Sequence, residues 1–230
     1  MVNAWLTGSL VLLGVWFVFW FLRPAVRKEM FLVSFFTMPF GLTEPLFVPE
    51  YWNPPSLFNL AAATGFDIES LIFSFAIGGI GSVFYELLVK RKHTKMTKHE
   101  MHAPLHKHHL LALLSPIFFF LLFDIITNWN PIYIVIIAMF GGGIAALFCR
   151  PDLKKKIWVG AFLFLLLYFF FFLFWITAYP GLVQEFWNIA VLSGVLIAGI
   201  PLEELLFAFT FGMMWSSVYE HASWIKIEKQ

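Results

Sequence analysis

The chemistry open to this chain lies with a few carboxyl groups set among apolar residues. Pro201-Leu202-Glu203-Glu204-Leu205-Leu206-Phe207 puts two adjacent acids at the head of a long apolar run. Glu69 and Asp124 also lie within apolar stretches or at their start, with no Lys or Arg placed to pair with them. An ionisable group in such a setting is expensive and should face an interior or a cavity. If it carries a proton there, it is in the state a general acid needs. Helix-start chemistry fits the same spacing. Pro201 suits a first turn, acids in that turn complement the helix dipole, and Asp67 is placed to cap. Both readings remain open at this level. Adjacent Glu203 and Glu204 point about 100° apart on a helix, so at most one can aim at a given point.

Aromatic residues make up 20% of the chain, with 30 Phe. Runs such as Phe118-Phe119-Phe120 and Phe169 to Phe172 surround a helix, so most of them are apolar filler against lipid. A minority can line a cavity and stabilise a cation through their π faces. Trp52 and Trp187 fall where an outer aromatic belt would lie, with anchoring as the default role. Six histidines crowd the segment from Lys90 to His109: His93, His99, His102, His106, His108 and His109. His102 and His106 have the i, i+4 spacing of a helical metal pair. No Cys accompanies them and lysines surround them, so the expectation is a solvated basic loop near anionic lipid, with no metal. Glu86 and Glu220, each preceded by Tyr, lie about 25 Å from Glu69 and Glu203 at 1.5 Å per residue, which points to a structural role. Gly78-Gly79-Ile80-Gly81 and Gly141 to Gly143 suit close helix packing. Dinucleotide fingerprints, P-loops and nucleophile elbows are absent, and no cofactor is expected.

The elements that hold these groups are membrane helices. Of 230 residues, 60% are hydrophobic and only 13% charged, with a mean hydropathy of +0.82. A soluble domain of this length cannot hide that much apolar surface. The first apolar run lacks a basic residue before it and reads as a retained helix rather than a signal peptide. Seven stretches are long enough to span roughly 30 Å of hydrocarbon, near 4–22, 30–47, 67–89, 110–128, 131–149, 157–178 and 202–221. Every Lys and Arg, from Arg23 to Lys229, then falls on one side, which predicts the N-terminus outside and the C-terminus in the cytoplasm. Asn188 to Ile200 and Asn53 to Gly65 are too short to cross and read as half-length or interfacial segments.

An internal repeat runs through the chain. Arg23-Pro24 matches Arg150-Pro151, and Glu50-Tyr51-Trp52-Asn53 matches Glu185-Phe186-Trp187-Asn188. From Gly65 to Glu86 and from Gly199 to Glu220 the register holds without a gap, so Glu69 aligns with Glu203 and Ser70 with Glu204. The fold expected is therefore an all-α membrane protein of seven transmembrane helices. Residues 1–89 form a first three-helix repeat, 90–130 a basic loop with a linking helix, and 131–230 a second repeat in the same orientation.

The Pro201 to Phe207 segment resembles the Pro-x-Glu-Glu-x-x-Phe motif of the membrane-integral lycopene cyclases, the family of heterodimeric bacterial, archaeal and fungal carotenoid cyclases built from two three-helix repeats. The resemblance implies a cofactor-free intramolecular cyclisation, an isomerisation in which a carboxyl protonates the terminal double bond of lycopene. A neighbouring double bond closes the ring, and proton loss leaves a β-ionone ring. Carried onto this chain, it implies Glu203, Glu204 and Glu69 as catalytic carboxyls. In the first repeat Asp67 stands in the proline position and Ser70 replaces the second acid. Substrate contacts are expected from Pro201, Phe207, Phe73, Trp52, Trp187 and Asp124. The expected partners are a lycopene-like carotenoid and the bilayer of the cell membrane, with no nucleic acid and with a homo-oligomer left open. The rival readings are a small proton-coupled carrier using the same acids, and a non-catalytic subunit that binds lipid or carotenoid.

Overall fold

A computed structural model describes residues 3–89 and 93–227. Lys90, Arg91, Lys92 and Lys229, counted above among the one-sided charges, lie outside the described residues. In chain order the helices are α1 (Ala4–Leu22), α2 (Arg27–Thr37), α3 (Leu60–Thr64), α4 (Ile68–Leu88), α5 (Lys98–Met101), α6 (His109–Ile126), α7 (Pro131–Cys149), α8 (Lys154–Ala178), α9 (Leu182–Phe186), α10 (Leu202–Trp215) and α11 (Val218–Ser223). Among the described residues four short strands accompany them: β1 (His93–Lys95), β2 (Leu196–Ile197), β3 (Ile200–Pro201) and β4 (Ile225–Ile227).

Each half begins with a capped apolar helix. Asn3 accepts from the Leu6 amide to start α1, and Asn130 accepts from the Ile132 amide to start α7. Arg-Pro then ends each helix, because proline at 24 and 151 cannot continue the hydrogen-bond ladder, and a 3-10 turn follows. Beyond that turn the halves diverge. α8 runs for 25 residues, whereas α2 stops after 11 and continues as a 3-10 run over Met38–Leu46. Pro39 and Pro45 explain the switch, since neither can donate to an α ladder.

Among the described residues, five helical segments are long and apolar enough to cross a membrane: Ala4–Leu22, Ile68–Leu88, Pro104–Ile126, Pro131–Cys149 and Pro151–Ala178. The other two expected spans are broken. That of 30–47 is divided between α2 and the 3-10 run, and that of 202–221 between α10 and α11. α10, of 14 residues, reaches only about 21 Å at 1.5 Å per residue. The segment after Asn188 is not a half-helix. It makes one 3-10 turn and then the β2–β3 hairpin, turned at Ala198-Gly199 with both φ positive.

α4 packs on α1 and α2, α10 packs on α7 and α8, and α4 meets α8 and α10 where the halves join. α6 lies against α7 and leaves most of its surface uncovered. Trp5, Trp175, Phe164 and Phe172 fill the centre, while Phe21, Phe36, Phe148 and Phe162 point outward at 60% exposure or more. Close approaches use the glycines anticipated above. A side chain at Gly79 would strike Ser34 and Trp16, and one at Gly142 would strike Pro116. At the Lys-rich end, Lys156 is buried among Glu220 at 2.5 Å, Glu86 at 2.7 Å and Glu29 at 3.4 Å, with His93 alongside. The Tyr-Glu pairs thus end in a buried ion cluster, closed over by the antiparallel β1–β4 pair.

Candidate functional site

A cavity of about 820 Å³ opens between the halves, with walls that are almost wholly apolar. Glu204 and Glu44 both reach it. Glu204 sits in the first turn of α10, where extended Pro201 ends β3 and starts the helix. Three side chains donate to its carboxylate: Tyr51 to Oε1, Trp187 Nε1 to Oε1 at 2.9 Å, and Tyr168 to Oε2 at 2.9 Å. All three donors and Glu204 are buried.

The donors come from both halves because two connectors pair. Trp52 and Trp187 form an antiparallel bridge. The Asn53 amide donates to the Phe186 carbonyl at 2.7 Å and the Asn188 amide to the Tyr51 carbonyl at 3.0 Å. This short ladder sets Tyr51 and Trp187 side by side over the start of α10. The indoles of Trp52 and Trp187 lie 5.6 Å apart and line the cavity with Phe73 and Phe207.

Glu44 belongs to the 3-10 run after α2. Its Oε2 accepts from Ser70 at 2.8 Å, while Oε1 is buried without a partner. Gly41 allows this contact. A Cβ there would lie 2.6 Å from the Ser70 carbonyl oxygen, so only glycine lets the run press against the first turn of α4. Ser70 occupies the position aligned with Glu204. The first half thus presents an acid from another element and holds it through the serine aligned with Glu204.

The other expected residues are placed differently. Glu203 Oε1 accepts from Tyr133 at 2.7 Å and from the Ser193 amide at 2.8 Å. Glu69 Oε1 accepts from Asn3 at 2.7 Å and from the Leu57 amide at 2.7 Å. Each therefore ties the first helix of its half to the connector before its own helix, and neither lines the cavity. Asp67 caps α4 through the Ser70 amide. Asp124 is exposed on α6, away from the cavity, and Pro201 is buried outside it. Glu204, Phe207, Phe73, Trp52 and Trp187 come together; Glu203, Glu69, Pro201 and Asp124 do not join them.

Sequence reasoning missed Tyr51, Tyr168, Glu44 and Ser70 as parts of the site. Tyr168 carried a usable signal, being the one tyrosine in a Phe-rich span, whose hydroxyl must find a partner when buried. Tyr51 carried none, since its aligned partner is Phe186.

Two groups among the described residues have metal-like spacing: His106, His109 and Cys149, and Glu29, His93 and Glu220. The i, i+4 pair His102 and His106 is not formed, because α5 ends at Met101 and His106 belongs to a separate 3-10 turn. The Cys missing from the sequence neighbourhood of the histidines comes from the end of α7.

No curated protein and no solved structure matches the chain. A family model described as lycopene cyclase matches residues 130–222. The matched segment carries Glu203, Glu204, Tyr168 and Trp187; Tyr51, Glu44 and Ser70 lie before it. The likeness to the lycopene cyclase family thus rests on the second half, with its buried carboxyl and part of the set of aromatic donors around it.

Proposed function

We propose that the protein is a carotenoid cyclase that closes a β-ring on a linear, lycopene-like end group, with Glu204 and Glu44 as its working carboxyls. One observation carries this reading: Glu204, the single motif acid that reaches the cavity, is met there by three buried donors and otherwise by apolar and aromatic walls. Such a cavity suits an isoprenoid, and its π faces suit a carbocation.

The two carboxyls divide the labour by their surroundings, as paired acids in active sites do. Glu44 lines the cavity with one carboxyl oxygen buried and without a hydrogen-bond partner, which suits it to carry a proton and deliver it to the terminal double bond. The electron pair of the adjacent double bond then attacks the resulting tertiary cation, forming the ring bond and moving the positive charge into the ring. Glu204 faces that charge as a carboxylate whose three donors replace the water it lacks. It takes the proton that leaves the ring, so one proton enters, one departs and no redox change occurs. Trp52, Trp187, Phe73 and Phe207 hold the end group and exclude water.

The reading also includes seven crossings in two parallel repeats joined by α6, with the outside at the Glu69 and Glu203 end and the cytoplasm at the Lys156 end. The confinement of Lys and Arg to one end of the helices supports it, as does the similar pairing of α4 with α1 and α2 and of α10 with α7 and α8. The cell membrane is the proposed location.

The test is carotenoid analysis of a lycopene-accumulating bacterial host expressing the chain. Wild type should yield monocyclic or bicyclic carotene, and Glu204→Gln and Glu44→Gln should each lower conversion by about 10²-fold or more. Unchanged lycopene, with wild-type protein present and folded in the membrane, would rule the cyclisation out.

A further inference from the structure

We propose that His106, His109 and Cys149 form a zinc site that fastens the start of α6 to the ends of α7 and α11. Cys149 Sγ lies 3.7 Å from His106 Nδ1 and 3.6 Å from His109 Nδ1. All three ligand atoms fall within 4.8 Å of one another. In a tetrahedral zinc site, with bonds of about 2.3 Å to sulfur and 2.0–2.1 Å to nitrogen, S and N stand about 3.6 Å apart. The two sulfur–nitrogen distances therefore already match edges of such a tetrahedron. One thiolate with two imidazoles is a donor set suited to a borderline-soft ion.

The surroundings hold these ligands in position. The His109 ring stacks on Trp224 at 3.6 Å, and the His106 ring meets the same indole edge-on at 5.4 Å. His221 itself is fully buried, its ring 4.3 Å from that of His109, and neither of its nitrogens has a partner. A buried imidazole with both nitrogens idle is costly. It is explained if that ring, or a water beside it, completes the coordination.

Charge does not forbid the ion. The nearest cation, Arg150, is held by Asp152 at 2.9 and 2.7 Å and by the carbonyl of Glu220 at 3.0 Å, so its charge is spent locally. The second cluster is different. Glu29, His93 and Glu220 surround the Lys156 ammonium, which already occupies the cation position between the carboxylates. The zinc assignment is therefore confined to the Cys-containing group.

The full chain, purified in detergent with a tag that contains no histidine, should hold about one zinc per chain by elemental analysis. After chelation, titration with cobalt(II) should give a thiolate-to-metal charge-transfer band together with tetrahedral d–d bands. Cys149→Ser should abolish the charge-transfer band, and His109→Gln should weaken binding at least tenfold. Cys149→His should retain zinc while losing that band, which separates loss of a ligand from loss of the fold. His99→Gln should change nothing. Absence of stoichiometric zinc in a folded wild-type chain would overturn the proposal, as would zinc binding that Cys149→Ser leaves intact.

Discussion

The two halves of the molecule use aligned positions to different ends. At the start of α10, Glu204 faces the cavity from the helix itself and is held by three donors drawn from both halves. At the start of α4, the aligned Ser70 has no charge and instead donates to Glu44, which arrives from the 3-10 run over Met38–Leu46. The neighbouring acids, Glu69 and Glu203, do the same job in each half, pinning the first helix to a connector. The carboxyl used as a structural brace thus stands at the aligned position in both halves, whereas the carboxyls lining the cavity stand on different elements. The brace depends on hydrogen bonds fixed by local chain geometry. The cavity needs only an acid near a point in space, which more than one element can supply.

This comparison can be broken most severely by moving the acid. Glu44→Gln should abolish cyclisation, and adding Ser70→Glu to that variant returns a carboxyl to the first turn of α4. Recovery of more than about a tenth of wild-type conversion in the double variant would show that position in the cavity, not the element, matters. Failure to recover at equal protein level would tie the function to the 3-10 run itself.

A smaller effect is expected from the donors. Tyr168→Phe removes one of three hydrogen bonds to Glu204, a loss of about 1.5–3 kcal/mol for a charged acceptor. Conversion should fall roughly 10- to 100-fold, with the folding midpoint in detergent changed little. If Tyr168→Phe cyclises as well as wild type, Glu204 does not act as a charged group in the rate-limiting step.

The smallest effect on chemistry should come from the braces. Glu203→Ala and Glu69→Ala each strand two donors and should destabilise by about 1–3 kcal/mol. Thermal unfolding in detergent should register that loss. Conversion per folded molecule should remain within about threefold of wild type, far from the loss expected for Glu204→Gln. An activity loss in Glu203→Ala as deep as in Glu204→Gln would return Glu203 to the catalytic machinery.

Much of this could be read from the residues in order. Long apolar runs that satisfy their own backbone hydrogen bonds announce membrane helices without help from the rest of the chain. That is why α1, α4, α6, α7 and α8 match their expected places. The break at Pro39 and Pro45 was also visible, yet hydropathy averaged across it and produced one span where the chain makes α2 and a 3-10 run. The glutamate pair was legible as a pair, and its divergence of about 100° meant that one acid at most could aim at a given point. Which of the two did so was not legible, because Tyr51 meets Glu204 across 153 residues and Tyr168 across 36.

What the sequence by itself determined is the medium, the helices and a short list of acids, since each depends on composition and on neighbours within a few turns. Only the tertiary structure decided that Glu204 rather than Glu203 enters the cavity, that Glu44 stands in for the acid Ser70 lacks, and that Cys149 meets His106 and His109. The physical reason is the range of the contacts. A helix is made by bonds four residues apart, but a site is made where side chains from separate helices are desolvated together, and nothing in the local spacing records that meeting.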